Sequence, residues 1–128
     1  MLLHSVHHIA IICSNYQVSK HFYTHILGLS IIKETYRAER KSYKLDMALH
    51  GHYIIELFSF ENPPVRPSQP EASGLRHIAF AVENVPTIIK YLLTHNIAAE
   101  PIRIDANTNK QFTFIADPDG LPIEFYQK

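Results

Sequence analysis

The sequence predicts an α+β protein made of two tandem βαβββ modules, and three observations carry that prediction. The stretch Val6-His7-His8-Ile9-Ala10 nearly repeats at Leu75-Arg76-His77-Ile78-Ala79; with His8 laid on His77, Asn15 falls on Asn84. Ile55-Glu56-Leu57-Phe58 is echoed by Ile123-Glu124-Phe125-Tyr126. The two echoes share an offset, because His8 and His77 stand 69 positions apart and Glu56 and Glu124 stand 68 apart. A fixed offset marks two copies of one supersecondary unit. Each copy puts a His near its start and a Glu near its end.

The elements follow in order. Residues 6–13 are β-branched and apolar and predict a strand. Ser14 or Asn15 is placed to cap a helix that runs to about residue 27, with Val18, Phe22 and Ile26, flanked by Tyr23 and Leu27, as its apolar face. Gly28 stands where a left-handed helix end needs a residue without a Cβ. Residues 29–35 predict a second strand. Tyr43, Leu45, Met47 and Leu49 alternate in a third, and residues 52–60 form a fourth after a His50-Gly51 turn. Residues 61–74 hold Pro63, Pro64, Pro67 and Pro70, a density that sustains neither ladder nor helix. They read as a linker. The second module repeats the order: a strand at 75–82, an Asn84-capped helix with Pro86 in its first turn running to about 95, then strands at 98–104, 111–116 and 121–126. Asn96 is placed to end the helix left-handed. Asp117-Pro118-Asp119-Gly120 is a turn. The whole chain, 1–128, is expected to be one domain. Module one covers about 4–60, the linker about 61–74 and module two about 75–127.

Composition narrows the partners. Lys+Arg and Asp+Glu balance at 12 each, so no basic surface for nucleic acid is expected. The single cysteine, Cys13, excludes an internal disulfide and suits a reducing compartment. No run approaches the roughly 20 apolar residues of a membrane span. The N-terminus shows neither the basic region nor the apolar run of a secretory signal. A cytoplasmic protein with a small-molecule partner is expected.

Strand alternation assigns faces. His8, Ala10 and Ile12 share one face, opposite Ile9, Ile11 and Cys13. His77, Ala79 and Ala81 lie opposite Ile78, Phe80 and Val82. Glu56 goes with Ile54 and Phe58; Glu124 goes with Pro122 and Tyr126. A carboxylate on a sheet interior is costly unless it is paired or metal-bound. Two His and two Glu in equivalent places on the roomier face therefore suggest one converging divalent-metal site, with His8, Glu56, His77 and Glu124 as ligands. Zn, Ni, Co, Mn and Fe all suit nitrogen and carboxylate donors. His7, the rival of His8, falls on the helix-covered face by alternation. His4, His21, His25, His50, His52 and His95 have no partner in the repeat and are expected at the surface or in structural roles.

On these motifs, with Phe22-Tyr23, Leu27-Gly28-Leu29 and Asp117-Pro118-Asp119-Gly120 beside Ile123-Glu124, the chain resembles the vicinal oxygen chelate superfamily. The likeness covers essentially the whole chain and is greatest to small bacterial glyoxalase-like proteins of the YaeR type. It implies a cupped mixed sheet around a metal, the glyoxalase/bleomycin resistance/dioxygenase fold, with the same four ligands. It also implies a homodimer and a substrate with vicinal oxygens. Glyoxalase I commonly carries an Arg four residues after its first ligand and an Asn four after its first Glu, both serving the glutathione γ-glutamyl group; here Ile12 and Phe60 occupy those positions.

The resemblance implies proton abstraction beside a metal-bound carbonyl, with Glu124 or Glu56 as base. Near-symmetry does not choose between them. Ile54, Phe58, Phe60 and Tyr126 are candidate lining residues. Arg37, Lys44, Arg66, Arg103 and Lys110 are candidate cations for an anionic substrate, though solvated surface is their expected role. The competing readings are a thiol transferase of the fosfomycin-resistance type, which uses three metal ligands, and a binding protein of the bleomycin-resistance type, which generally lacks them.

Overall fold

The computed structural model describes all 128 residues, in two compact units, Met1–Val65 and Arg66–Lys128. The first unit contains β1 (Ile9–Cys13), α1 (Tyr16–His21), β2 (Ser30–Arg37), β3 (Ser42–Leu49) and β4 (His52–Ser59). The second contains β5 (Ile78–Val82), α2 (Val85–Leu93), β6 (Arg103–Ile104), β7 (Gln111–Ala116) and β8 (Pro122–Gln127). Each unit builds a four-stranded mixed sheet of one order, β1-β4-β3-β2 and β5-β8-β7-β6. The first strand of each lies parallel to the last, and the other pairs are antiparallel. Register repeats as well: Ile9 pairs with Ile55 and Ala10 with Glu56, just as Ile78 pairs with Ile123 and Ala79 with Glu124. These are the two βαβββ modules that the sequence repeat predicts.

Alternation assigns the faces correctly. Ile11, Cys13, Ile55 and Leu57 are buried on the side that α1 covers, and Ile78, Ile123 and Phe125 are buried beneath α2. Ala10, Ile12, Ala79 and Ala81 face away and are exposed. Burying such apolar side chains, at ~1.5–3 kcal/mol each, is what holds each helix to its sheet. No helix is long and apolar enough to cross a membrane.

Local chemistry explains most boundaries. Asn15 Oδ1 accepts the Val18 N–H at 3.2 Å, and Asn84 Oδ1 accepts the Thr87 N–H at 2.9 Å, so both Asn residues cap as expected. His50 and Gly51, with φ of 49° and 79°, form the tight turn that sets Leu49 opposite His52. Gly28, at φ 82°, closes the first helix.

Four expectations need correction. The first helix does not continue as α-helix to residue 27; Phe22–Ile26 is a π-turn. Val18 is not on the buried face and is 50% exposed. The buried stripe runs through Tyr16, Ser19, Phe22 and Tyr23, and Val18 sits two residues, or about 200°, from its start. Strand pairing starts only at Ile9 and Ile78, so His8 and His77 each immediately precede their strand. The strand expected over 98–104 is reduced to Arg103–Ile104. Pro101 has no N–H to give the ladder. Glu100 supplies single contacts instead: its N–H donates to Phe114 O, and its carbonyl accepts from Thr113 Oγ1.

The Pro-rich stretch also has structure of its own. Arg66 donates from Nη2 to Leu75 O at 2.7 Å and Arg76 O at 3.2 Å, and Ser68 Oγ donates to Gly120 O at 3.1 Å. Its latter part is therefore fastened to the second unit.

Candidate metal centre

In both units the parallel pairing of first and last strand sets a small residue, Ala10 or Ala79, beside a glutamate. The residue two positions before that alanine is the histidine. The result is one imidazole over one carboxylate on the helix-free face. His8 Nε2 lies 3.7 Å from Glu56 Oε1, and His77 Nε2 lies 3.2 Å from Glu124 Oε2. Both carboxylates are mostly sheltered, with side chains 13% and 12% exposed.

These pairs suit a metal. Two donors ~2.1 Å from one ion stand ~3.0 Å apart at a right angle and ~3.4 Å apart at a tetrahedral angle; the His77–Glu124 spacing falls between these values and the His8–Glu56 spacing lies just beyond them. Neutral imidazole nitrogen with carboxylate oxygen is a donor set for first-row divalent ions. The four expected ligands are brought together two by two, and no group of three or more His, Cys, Asp or Glu side chains gathers at one point of the chain. Each unit thus presents one His–Glu pair.

The surroundings of the two carboxylates differ. Lys44 Nζ lies 2.9 and 3.0 Å from the Asp46 oxygens and 3.3 Å from Glu56 Oε2. The Tyr53 hydroxyl stands 2.8 Å from Asp46 Oδ1 and 3.1 Å from Glu56 Oε2, able to donate to either. The Lys44 and Tyr53 donors therefore hold Glu56 Oε2, while Oε1 is turned to His8. Burial opposes the Asp46 carboxylate, yet the Lys44 ammonium and the Tyr53 hydroxyl keep its pKa below the ordinary value. The bond to Asp46 raises Lys44 in return. Burial, then the hydrogen bonds to Asp46 and Glu56, push the Tyr53 phenol up. Lys44 is therefore not the solvated surface cation expected. Asp46 and Tyr53 escaped the sequence reading. The available signal was a carboxylate inside the apolar run Leu45-Asp46-Met47-Ala48, two residues from a Lys on the same strand face.

His7 needs correction too. Because pairing begins at Ile9, alternation does not govern it, and it is exposed beside His8 rather than under the helix. The two Nδ1 atoms are 2.8 Å apart, and the His8 ring stacks on Tyr53 with centroids 5.0 Å apart. With His8 Nδ1–H as the donor, Nε2 keeps the lone pair a metal ligand needs.

Around Glu124 the register substitutes rings for charges. Where Asp46 faces Glu56, Phe114 faces Glu124; where Lys44 faces Phe58, Phe112 faces Tyr126. His77 meets Phe114 edge to face at 5.1 Å. Arg76 Nη1 is 3.4 Å from His77 Nδ1, and a guanidinium only donates. His77 accordingly accepts there and turns Nε2–H toward Glu124, a proton that a metal would replace. A cavity of about 350 Å³ opens beside His77, between Arg66, Arg76, Arg103 and Phe114. A second hollow continues past Phe112, Glu124 and Tyr126. Tyr126 donates to Asp105 Oδ2 at 2.8 Å and also touches the Thr108 hydroxyl.

Of the other expected lining residues, Phe58 and Phe60 stack at 6.0 Å, and Ile54 is half-buried. Ile12 is 56% exposed on the helix-free face.

Paired βαβββ units, each with a His–Glu pair in one register, define the class of protein. A family model, the Glyoxalase/Bleomycin resistance protein/Dioxygenase superfamily, matches residues 5–125, and the chain belongs to that superfamily. It is 57% identical to YwkD of Bacillus subtilis over 100% of both chains. It is 55% identical to YaeR of Escherichia coli over 98% of both. A solved glyoxalase family protein from Enterococcus faecalis shares 44% identity at a TM-score of 0.91, over 98% of this chain and 99% of that one. The fold alone is shared with two remoter structures. Leishmania major glyoxalase I is 22% identical, with a TM-score of 0.73 over 98% of this chain and 87% of its own. TnmS3, an antibiotic binding protein from Streptomyces, is 20% identical, with a TM-score of 0.73 over 99% and 98%.

Proposed function

We propose that the protein is a divalent-metal-dependent lyase or isomerase of the glyoxalase I kind, which moves a proton from carbon next to a carbonyl. The observation behind this is the repeated His–Glu pair, set in the same strand register in both units. His8 and Glu56 with His77 and Glu124 would complete one four-ligand site, within a chain or between two copies of a homodimer. Bound there, the ion supplies Lewis acidity toward a substrate carbonyl oxygen.

The surroundings break the near-symmetry of the two carboxylates. Glu56 Oε2 is engaged by Lys44 and Tyr53, which favours a fixed ligand. Glu124 has Phe114 opposite it in place of such a clamp and is paired with His77, so it is the carboxylate assigned as the general base. The Tyr126 hydroxyl, held by Asp105, lines the same hollow and orients substrate oxygen. The rings of Phe112 and Phe114 exclude water there, and Glu124, holding the abstracted proton, returns it to the neighbouring carbon.

A glutathione adduct is not the proposed substrate. Ile12 offers no charge to a γ-glutamyl group, and Phe60 is stacked on Phe58. The test is loss of the substrate carbon-bound proton to D2O, followed by NMR with small α-hydroxycarbonyl compounds, with and without glutathione. Glu124→Gln should lower exchange at least a hundredfold with the fold intact. Exchange in that variant at the wild-type rate would remove Glu124 as base. Exchange in none of the metal-loaded proteins would favour the binding-protein reading.

A further inference from the structure

The edge strands carry a feature that the metal reading does not use. Arg37 ends β2, and its guanidinium lies over the Phe58 ring, 4.8 Å from the centroid. Arg103 opens β6, the equivalent edge strand, and lies over Phe112 and Phe114 at 5.0 and 5.4 Å. Both arginines rest on rings of strands that also carry or face the glutamates. A guanidinium laid flat on a ring keeps its in-plane N–H donors free while its flexibility is reduced.

Those donors are under-used. Arg103 spends only Nη2, on Glu100 at 3.1 Å, and both side chains are more than half exposed. Such a pair is weak and exchanges readily. Arg37 Nη2 donates to Ser42 Oγ at 3.1 Å, but its Nε is buried with no partner. A buried donor without an acceptor is costly and marks a place where an acceptor is expected. The Arg103 donors border both the cavity at His77 and the hollow at Glu124. A fork geometry of this kind matches an oxyanion, carboxylate or phosphate, better than a neutral oxygen.

We infer that the molecule this protein acts on is an organic oxyanion whose carboxylate or phosphate is held by Arg103, beside His77 and Glu124, with Arg37, two residues out of register on the matching edge strand, as a second guanidinium in the first unit. This rests on the proposed function only for the position of the reacting carbon. The Arg103 site itself needs no metal. Glu100 is the group displaced when the anion binds.

The experiment is an NMR titration of the full-length, isotope-labelled protein, stripped of metal on chelating resin and then repeated with metal restored. The probes are lactate, its neutral counterpart lactamide, and inorganic phosphate. Lactate or phosphate should shift the Arg103 Nε–H resonance in the stripped protein, and lactamide should not. Whichever anion binds more tightly tells carboxylate from phosphate recognition. Arg103→Met should weaken binding at least fivefold, Arg103→Lys less, and the remote Arg40→Met not at all. Equal binding of lactamide, or equal losses in Arg40→Met and Arg103→Met, would overturn the assignment. Because the stripped protein is tested first, failure of the metal site leaves this result readable, and a bound anion leaves the metal reading open to its own test.

Discussion

The two units differ most where they are most alike. Glu56 and Glu124 occupy one register position, yet the first sits in a lattice of Lys44, Asp46 and Tyr53 and the second among Phe112, Phe114 and Tyr126. A repeated unit thus keeps its His–Glu pair while its neighbours diverge. The charged half favours a stationary carboxylate. The aromatic half pairs its carboxylate with His77 and opens a hollow beside it. The helices differ too. In the first unit the Tyr16 hydroxyl and Lys20 both bind Glu34 on β2, Lys20 at 2.6 Å, whereas β6 of the second unit is too short to offer such a tie.

The comparison breaks hardest in the shared core. Ile55 and Ile123 are fully buried at equivalent positions, so Ile55→Ala and Ile123→Ala should each cost about 2–5 kcal/mol in urea unfolding. A cost below about 1 kcal/mol for either would show that the two cores are not equivalent.

A smaller effect separates the site faces. In metal-free protein Lys44→Met leaves Asp46 and Glu56 facing each other without their cation, at a cost of about 1–3 kcal/mol. Arg103→Met removes an exposed pair and should cost less than about 1 kcal/mol. The same unfolding series reads both, and the reverse order would contradict the contrast drawn between the halves.

The smallest effect is the pH dependence that Glu34 adds to the first unit. Hydrogen bonds from Lys20 and then Tyr16 hold the Glu34 carboxyl below its ordinary 4.5. A depressed carboxyl contributes stability that is present above its unfolded pKa and lost as pH falls through the lower folded value. Glu34→Gln should therefore lower stability by a small constant amount near neutrality and flatten the fall in stability below about pH 4.5.

Much of this was legible in the sequence. The offset between the two echoes gave the modules, and alternation placed Ile55 inside and Glu56 outside. Asn15, Asn84, His50-Gly51 and Gly28 acted where their chemistry points. What escaped lay where period and propensity lose their hold. The π-turn at Phe22–Ile26 shifts a helix face without any sequence signal of its own. His7 lies before the strand, where alternation does not apply. Lys44, Asp46 and Tyr53 come together through cross-strand pairing, which depends on the register shift at Met47/Ala48. Arg103 read as a surface residue because its ring partners are on the neighbouring strand.

The most direct test of the account is the metal stoichiometry of the stripped protein, titrated with Ni, Co, Zn, Mn and Fe(II), the last under anaerobic conditions, beside His8→Ala, His77→Ala and an equimolar mixture of the two. One tightly bound ion per chain is expected for at least one of these metals, lost in either variant alone. Recovery in the mixture would place the site between copies, and no recovery would place it within one chain. Two ions per chain, with each variant losing only one, would contradict it, because the His–Glu pairs would then be separate sites; so would a wild-type protein that binds none of the five.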